Sequence, residues 1–212
     1  MDDLFPETRE RLVLAPGAVL LGGFAKAEAP ALLRAVESVA EQAPFRQYRT
    51  GGGRLMAAAM TSCGSYGWIS DGHGYRYVRT DPLTGRLWPV MPAVFSILAE
   101  RAARVAGYAG FVPQCGLINR YEAGAGMGLH QDRDERNMKA PVVSVSLGLS
   151  AIFQWGGARR QDARRNVPLH HGDVVVWGGS SRRNFHGILP VRSAPAVEGL
   201  GCRYNLTFRV VD

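Results

Sequence analysis

The sequence predicts an α+β domain that is mainly β, and three observations support this fold class. Two segments near the N-terminus, residues 29–44 and 91–108, space their apolar residues as amphipathic helices do. From Val112 onward the helical period disappears, and short apolar runs alternate with turn residues. Regular short strands are typical of an antiparallel sandwich or a jelly roll. The 212 residues, 46% of them hydrophobic, are expected to form one domain, residues 1–212, with a full core.

The elements before residue 112 follow from local signals. The stretch "LVLAPGAVLLGGF" predicts two short strands joined by a Pro-Gly turn. Pro30 suits the first turn of the first helix, and Pro92 and Gly107 mark the start and end of the second. Residues 44–88 are rich in Gly, Ser, Thr, Tyr and Trp, which predicts short strands and mobile loops between the helices.

Charge and cysteine content narrow the class of partner and compartment. The formal net charge of +7 favours a polyanionic partner such as nucleic acid. The three cysteines are widely spaced and form no C-x-x-C pair, which indicates free thiols in a reducing compartment. The N-terminal segment lacks the apolar core of a signal peptide, and no apolar run approaches the roughly 20 residues of a membrane span. We therefore expect a cytoplasmic protein without a membrane segment.

The stretch "GLHQDRDE", residues 128–135, concentrates groups that bind metals. On an extended backbone His130 and Asp132, two residues apart, point to the same face. A third ligand is available from His186 in "NFHGI". Two imidazoles and one carboxylate form the facial triad of non-haem Fe(II) oxygenases, although five histidines offer many such combinations. The other histidines are expected to be mainly structural: His73, His170 and His171.

The stretch "RYNLTFR" alternates strictly between polar and apolar residues. Arg203, Asn205, Thr207 and Arg209 share one face of the predicted strand. Such a face usually points to water. It could equally form a pocket for a dicarboxylate, because guanidinium groups bind carboxylates through paired hydrogen bonds. Enzymes with this iron triad commonly use 2-oxoglutarate, a dicarboxylate, so the two motifs predict the same chemistry.

These motifs lie in segments that resemble the AlkB family of Fe(II)/2-oxoglutarate-dependent dioxygenases. The resemblance runs in the same order over most of the chain, and "LHQDRDE" with "RYNLTFR" is its most specific part. The other matching segments are "APFRQY", "AMTSCG", "LINRYEAGAGMG", "APVVSVSLGLSAIFQWGG" and "HGDVVVWGGSSRRNFHGI". The resemblance implies a double-stranded β-helix, or jelly roll, over residues 112–212, beneath a nucleotide-recognition lid over residues 44–88.

The resemblance also implies a role for individual residues. The implied iron ligands are His130, Asp132 and His186. The implied 2-oxoglutarate contacts are Asn119, Tyr121, Arg203, Asn205 and Arg209, with Arg203 at the distal carboxylate. The implied substrate-recognition residues are Trp68, Tyr75, Tyr77, Asp134 and Arg160. The basic stretch 159–165 and the pair Arg182–Arg183 would either contact phosphates or be ordinary solvated loops, and Glu135 is interpreted as part of a solvated turn.

The implied reaction is the oxidative demethylation of 1-methyladenine and 3-methylcytosine in single- or double-stranded DNA, and in RNA as well. It requires Fe(II), 2-oxoglutarate and O2, and a monomer is expected. Three alternatives stay open: an RNA or tRNA demethylase, another 2-oxoglutarate-dependent hydroxylase, and a non-catalytic jelly-roll binding module. The chain departs from the family at positions that face DNA. Arg54 replaces an aromatic residue, and the loop 122–128 is richer in glycine.

Overall fold

Two antiparallel sheets and a separate hairpin contain the strands of the protein, whose computed structural model describes residues 11–212. The strands are β1 (Leu12–Ala15), β2 (Ala18–Leu21), β3 (Ala59–Gly64), β4 (Gly67–Asp71), β5 (Gly74–Val78), β6 (Cys115–Tyr121), β7 (Met127–His130), β8 (Val142–Gly148), β9 (Ala151–Trp155), β10 (Arg165–Leu169), β11 (Val174–Trp177), β12 (His186–Ile188) and β13 (Arg203–Arg209). The helices are α1 (Ala29–Gln42) and α2 (Ala93–Val105), and a 3-10 helix spans Gly179–Ser181.

The larger sheet has the strand order β1-β2-β11-β8-β13-β6-β3, and the smaller has the order β10-β9-β12-β7. Apolar side chains of both sheets meet in one cluster between them. Its members include Leu20, Val175 and Trp177 from the larger sheet and Phe153, Trp155 and Val167 from the smaller. This pair of facing sheets confirms the predicted jelly roll and its mainly β class.

Both predicted helices are present and cover the outer face of the larger sheet. Pro30 lies in the first turn of α1, Pro92 precedes α2, and Gly107 follows it with a positive φ of 96°. Apolar residues of the helices pack on alternate residues of β8, β11 and β13, as when Phe95 meets Phe208 at a centroid distance of 5.7 Å. The larger sheet is therefore buried on both faces, which explains the continuous apolar runs in its central strands.

The range 44–88 is divided between the larger sheet and the hairpin. Strand β3 pairs with β6 at the edge of the larger sheet, whereas β4 and β5 pair only with each other. The base of the hairpin is held by the small cluster of Ala43, Ile69 and Trp88. Beside it, Arg46 forms an ion pair with Asp81, whose side chain is fully buried. These contacts fix the hairpin against the rest of the protein.

The predicted strands β1 and β2 flank the Pro-Gly turn as expected. Most of the N-terminal segment that is expected not to be a signal peptide lies outside the described residues. Within residues 11–212, no helix is long and apolar enough to cross a membrane.

Candidate active site

His130 and His186 are brought together by strand pairing. They are directly opposite each other where β7 pairs with β12, and their ring centroids are 4.4 Å apart. Asp132 follows β7 by two residues and is buried. Its carboxylate oxygens lie 3.7 Å from His130 Nε2 and 3.9 Å from His186 Nε2. One potential ligand atom from each of the three residues lies within 4.8 Å of the other two, so they could share one metal ion.

Backbone carbonyl groups orient both histidines. His130 Nδ1 lies 3.0 Å from the Gly128 carbonyl oxygen, and His186 Nδ1 lies 3.0 Å from that of Asn184. A carbonyl only accepts hydrogen bonds, so each Nδ1 carries the proton. The lone pair is then on Nε2, the nitrogen that faces Asp132. Fixing the tautomer in this way is how proteins commonly prepare a histidine to bind a metal.

The charge states also suit a divalent cation. Burial lowers the pKa of His186 to about 4, and the neighbouring His130 adds to this effect, so His186 is a neutral imidazole near pH 7. Burial alone would raise the pKa of Asp132, but the positive charges around it, with Arg209 the strongest, together outweigh burial and hold that pKa well below its usual range. Two imidazole nitrogens and an ionised carboxylate fit Fe(II) and leave further coordination positions for other ligands.

The polar face of β13 points into the protein, so the reading in which it faces water is wrong. Arg203 is 1% exposed and Arg209 is 6% exposed, and Asn205 and Thr207 between them are also buried. The pairing of β13 with β6 places Arg203 opposite Tyr121 and Asn205 opposite Asn119. Two neighbouring strands of the larger sheet thus bring together the five residues assigned to 2-oxoglutarate.

Several polar atoms of this group have no protein partner. Among the described residues, hydrogen-bond partners are lacking for Arg203 Nε and Nη1, Arg209 Nη1 and Asn119 Oδ1, although all four atoms are buried. Arg203 makes one hydrogen bond, from Nη2 to Ser146 Oγ at 3.1 Å. A buried guanidinium with vacant donors is costly unless a ligand supplies acceptors. The donor set therefore fits a dicarboxylate such as 2-oxoglutarate.

The hairpin supplies an aromatic surface. Trp68 and Tyr75 stack with a centroid distance of 5.5 Å and an interplanar angle of 22°, and Tyr48 meets Trp68 edge-on. Trp68 Nε1 donates a hydrogen bond to Asp134 Oδ2 at 3.1 Å. Tyr75 is 46% exposed, so the surface is open to a ligand. Because β4 and β5 pair antiparallel, Trp68 and Tyr75 project to the same face of the hairpin.

One cavity of about 970 Å³ joins the three groups of residues. Its lining includes the three potential iron ligands, the five residues assigned to 2-oxoglutarate and the five assigned to substrate recognition. The potential iron ligands come from strands of the smaller sheet and from the segment that follows β7. The residues assigned to 2-oxoglutarate come from the larger sheet. The cavity therefore lies between the sheets, and the hairpin borders it.

Glu135 and Arg182 do not lie where the sequence suggested. Glu135 is buried rather than solvated, and Arg182, expected at a phosphate, is 3% exposed and forms an ion pair with Glu135 at 2.9 Å. On an extended backbone Glu135 points away from Asp134, and here that direction is the protein interior. No local pattern in the sequence distinguishes these two charges from their neighbours. Arg183, the next residue, is exposed as expected.

The remaining predicted positions are at the surface or in turns. Arg160 is exposed and its guanidinium lies 5.1 Å from the Phe185 ring. His170 and His171 contact Ser150 and the Gly148 amide, which agrees with structural roles in the turn before β11. In the glycine-rich loop, close packing explains why one position is a glycine. A Cβ on Gly126 would come within 2.8 Å of the Ile188 carbonyl oxygen.

Comparisons with known proteins agree with this geometry. Residues 17–209 match the 2OG-Fe(II) oxygenase superfamily. The chain is 51% identical to the alpha-ketoglutarate-dependent dioxygenase AlkB of Escherichia coli, covering 99% of this chain and 97% of the relative. It is 46% identical to an AlkB homolog of Caulobacter vibrioides, covering 93% of this chain and 89% of the relative.

A solved structure of a similar protein has the same fold as this chain. The structure of OsALKBH1 superposes with a TM-score of 0.82 at 29% identity, covering 94% of this chain and 99% of the other. The two most specific motifs of the predicted resemblance, "LHQDRDE" and "RYNLTFR", both contribute to the lining of the cavity. This chain therefore belongs to the AlkB family within the 2OG-Fe(II) oxygenase superfamily.

Proposed function

We propose that this protein oxidatively demethylates 1-methyladenine and 3-methylcytosine in DNA, and in RNA as well, as a direct reversal of alkylation damage. The observation that carries the proposal is the arrangement of one cavity. A facial triad lies inside it, and an aromatic surface with an adjoining carboxylate borders it. The relationship to the AlkB dioxygenases supports the same reaction. We assign residues 1–212 to a single catalytic unit with the lid over residues 44–88.

In this assignment His130, Asp132 and His186 hold the iron. When bound, Fe(II) and 2-oxoglutarate would supply the oxidation by O2 that turns the N-methyl group into formaldehyde and 2-oxoglutarate into succinate and CO2. The protein contributes the geometry and the charge states. The carbonyl groups of Gly128 and Asn184 keep each Nε2 unprotonated, and Arg209 keeps Asp132 ionised.

Arg203 and Arg209 bind the two carboxylates of 2-oxoglutarate, with Arg203 at the distal one. Arg203 lies deep in the barrel against the Tyr121 ring, at 5.1 Å, whereas Arg209 contacts the metal ligand Asp132. This difference in depth orients the co-substrate with one end at the iron. Tyr121 lies opposite Arg203, and Asn119 and Asn205 form the next opposite pair along the same two strands, so they complete the polar wall of the binding site.

The base must leave a duplex to enter the cavity, because the potential iron ligands line the space between the two sheets. Trp68 and Tyr75 would stack against the extruded or single-stranded base. Tyr77 borders the same space, although its hydroxyl group donates to Glu135. Stacking of this kind tolerates any base, so it explains binding and not selection.

Asp134 supplies the selection. Adenine methylated at N1 and cytosine methylated at N3 carry positive charge near neutral pH, whereas undamaged bases do not. The Asp134 carboxylate is held beside the stacking surface by the Trp68 hydrogen bond. Its attraction for a cationic base grows as the bound base displaces water and the effective dielectric constant falls. A carboxylate at this position therefore favours the damaged bases.

The exposed arginines outside the cavity favour a nucleic acid over a small molecule. Arg159, Arg160, Arg164 and Arg165 form an exposed basic loop next to the cavity. Phosphate groups on either side of the target nucleotide would meet this loop. We propose that the protein acts as a monomer in the cytoplasm on single- or double-stranded substrates, and that Arg54 at the cavity edge adds a contact.

The proposal is tested with purified protein, Fe(II), ascorbate and 2-oxoglutarate. The substrates are oligonucleotides that each carry one 3-methylcytosine, as single-stranded DNA, duplex DNA and RNA, and the product mass is read out. We expect conversion to cytosine that requires 2-oxoglutarate. Turnover of 2-oxoglutarate with no demethylated base in any of the three substrates would refute the nucleic-acid assignment.

A further inference from the structure

Glu135 connects three separate parts of the protein. Its side chain is only 1% exposed and accepts a hydrogen bond from the Tyr77 hydroxyl group on β5. Glu135 also accepts a hydrogen bond from Arg182 Nη2 at 2.9 Å, and Arg182 lies in the segment between the 3-10 helix and β12. The third partner is Arg209 Nε at 3.2 Å, at the end of β13. A buried carboxylate with two hydrogen-bond donors and a second guanidinium at ion-pair distance is fixed in place.

Arg209 is shared between Glu135 and the potential iron ligand Asp132. Arg209 Nη2 donates to Asp132 Oδ2 at 2.9 Å, and Nε lies 3.2 Å from both Asp132 Oδ2 and Glu135 Oε1. Two carboxylates therefore hold two nitrogens of one guanidinium. The third nitrogen, Nη1, is the one without a hydrogen-bond partner in residues 11–212. Arg209 lines the cavity, and its orientation there is held by the other two nitrogens.

The charges of this cluster balance. Asp132 and Glu135 contribute two negative charges, and Arg182 and Arg209 contribute two positive charges. Arg182 also donates from Nη1 to the Asp132 backbone carbonyl at 2.7 Å, which fixes the backbone of the metal ligand. Without the charge of Glu135, Asp132 would be the one carboxylate among residues 11–212 that pairs with Arg209. Asp132 would then share more of its charge with Arg209 and offer less to a metal.

We propose that Glu135 is a positioning residue for the iron and 2-oxoglutarate site, and that Tyr77 couples it to the lid hairpin. Glu135 draws Arg209 partly away from Asp132, which leaves Asp132 available to the metal and directs Arg209 Nη1 at the co-substrate. The Tyr77 hydroxyl group restrains the Glu135 oxygen that contacts Arg209. The position of the hairpin thereby affects how well the centre binds its metal, even without nucleic acid.

This inference rests on the iron and 2-oxoglutarate chemistry of the proposed function but not on its substrate. The test therefore uses no nucleic acid. Its result does not depend on whether the protein demethylates a base, so failure of this inference and failure of the proposed function are distinguishable. Co(II) replaces Fe(II) as a probe that resists oxidation, and its binding is followed by visible absorption. The dissociation constant of 2-oxoglutarate is then measured on the Co(II)-loaded protein by calorimetry.

We expect Glu135→Gln to weaken Co(II) binding by roughly 10- to 100-fold, the usual effect of losing a group that orients a metal ligand. Tyr77→Phe removes one hydrogen bond and leaves the ring, so a weakening of roughly two- to tenfold is expected. The matched control is Tyr66→Phe, just before β4, whose hydroxyl group donates to Asp212 outside the cavity. Its hydroxyl group lies outside this cluster, so it should bind Co(II) as the wild type does.

Thermal unfolding of each apo variant separates positioning from general stability. A purely structural role would lower the melting temperature and leave Co(II) and 2-oxoglutarate binding unchanged well below that temperature. That result for Tyr77→Phe, or for Glu135→Gln, would overturn the proposal. If Glu135→Gln does not fold, Tyr77→Phe decides alone. Weaker Co(II) binding in Tyr77→Phe at an unchanged melting temperature supports the coupling.

Discussion

Trp68 donates its indole N–H to the Asp134 carboxylate at 3.1 Å, which joins the stacking surface to the charge proposed to select substrates. Trp68 lies on the hairpin and Asp134 lies just beyond the metal ligands, so this bond crosses the edge of the cavity. A base stacked on Trp68 would therefore lie beside Asp134. The relationship leads directly to a prediction about substrate charge.

We expect Asp134→Asn to reduce turnover of cationic 3-methylcytosine more than that of neutral 3-methylthymine. The lost attraction at a partly exposed site is about 1–2 kcal/mol, or roughly a tenfold difference. Asparagine still accepts the Trp68 hydrogen bond, so the stacking surface is retained. The measurement is kcat/KM on oligonucleotides that differ only in the methylated base. Equal losses on both bases would remove Asp134 from lesion selection.

We expect Asp132→Ala and His186→Ala each to abolish iron-dependent turnover while the fold is kept. A triad that lacks one ligand holds Fe(II) poorly, and in Asp132→Ala the Arg209 guanidinium keeps Glu135 as a partner. Activity and the circular dichroism spectrum are measured together. The control is His73→Ala, because the His73 side chain is 86% exposed on the hairpin. Full activity in either ligand variant would show that the triad is assigned wrongly.

We expect Arg203→Ala to raise the KM for 2-oxoglutarate strongly. A carboxylate between the two sheets would lose its charged partner, a loss worth roughly 2–5 kcal/mol. Steady-state kinetics at varied 2-oxoglutarate concentration give the KM. Arg104→Ala, an exposed arginine on α2 away from the cavity, is the matched control. An unchanged KM in Arg203→Ala would exclude this arginine from co-substrate binding.

We expect binding to single-stranded DNA to weaken steeply with salt. Each phosphate contact contributes about 0.7 to the slope of log K against log salt concentration on single strands and about 0.9 on duplexes. Replacing Arg160 and Arg164 together by alanine should therefore reduce the slope by roughly 1.4 on single strands if both contact phosphates. Fluorescence anisotropy at several salt concentrations measures it. A flat response in the wild type would rule out the basic loop as a phosphate contact.

We expect the metal-free protein to lose stability as the pH falls from about 6.5 to about 4. His186 has a pKa near 4 when folded and 6.5 as its ordinary value, so the unfolded chain binds the extra proton across this window. Unfolding is then favoured as the pH falls, by up to roughly 3 kcal/mol from this residue alone. Urea unfolding at a series of pH values measures the effect. In His186→Gln this part of the pH dependence should disappear, and a profile identical to the wild type would contradict the prediction.

The sequence predicted the fold and the site well wherever a pattern repeats or a motif is specific. The alternation of "RYNLTFR" defined a strand with a polar face, but alternation alone could not distinguish a face turned to water from one turned to a cavity. The helices α1 and α2 cover the apolar face of β13, and the smaller sheet lies across its polar face, so both faces of the strand are inside the protein. Such long-range packing cannot be predicted from any short stretch of the sequence.

The sequence failed on Glu135 and Arg182 for a related reason. Both lie in charged stretches, where exposure to water is the usual state. They are buried because they pair with each other and with Arg209, and these contacts join three distant parts of the chain. The sequence predicted that His130 and His186 bind one metal ion, but it did not show how they meet. The register of two paired strands places them opposite each other.

The most direct test of the proposed iron-dependent demethylation is the stoichiometry of a single reaction mixture. Succinate, formaldehyde and repaired base are quantified together on DNA that contains 3-methylcytosine, with the wild type and with Asp132→Ala. We expect one formaldehyde and one repaired base for each methyl group removed, with succinate formed in step and none of the three formed by Asp132→Ala. Succinate without formaldehyde, or repair by the Asp132→Ala variant, would contradict the proposed reaction.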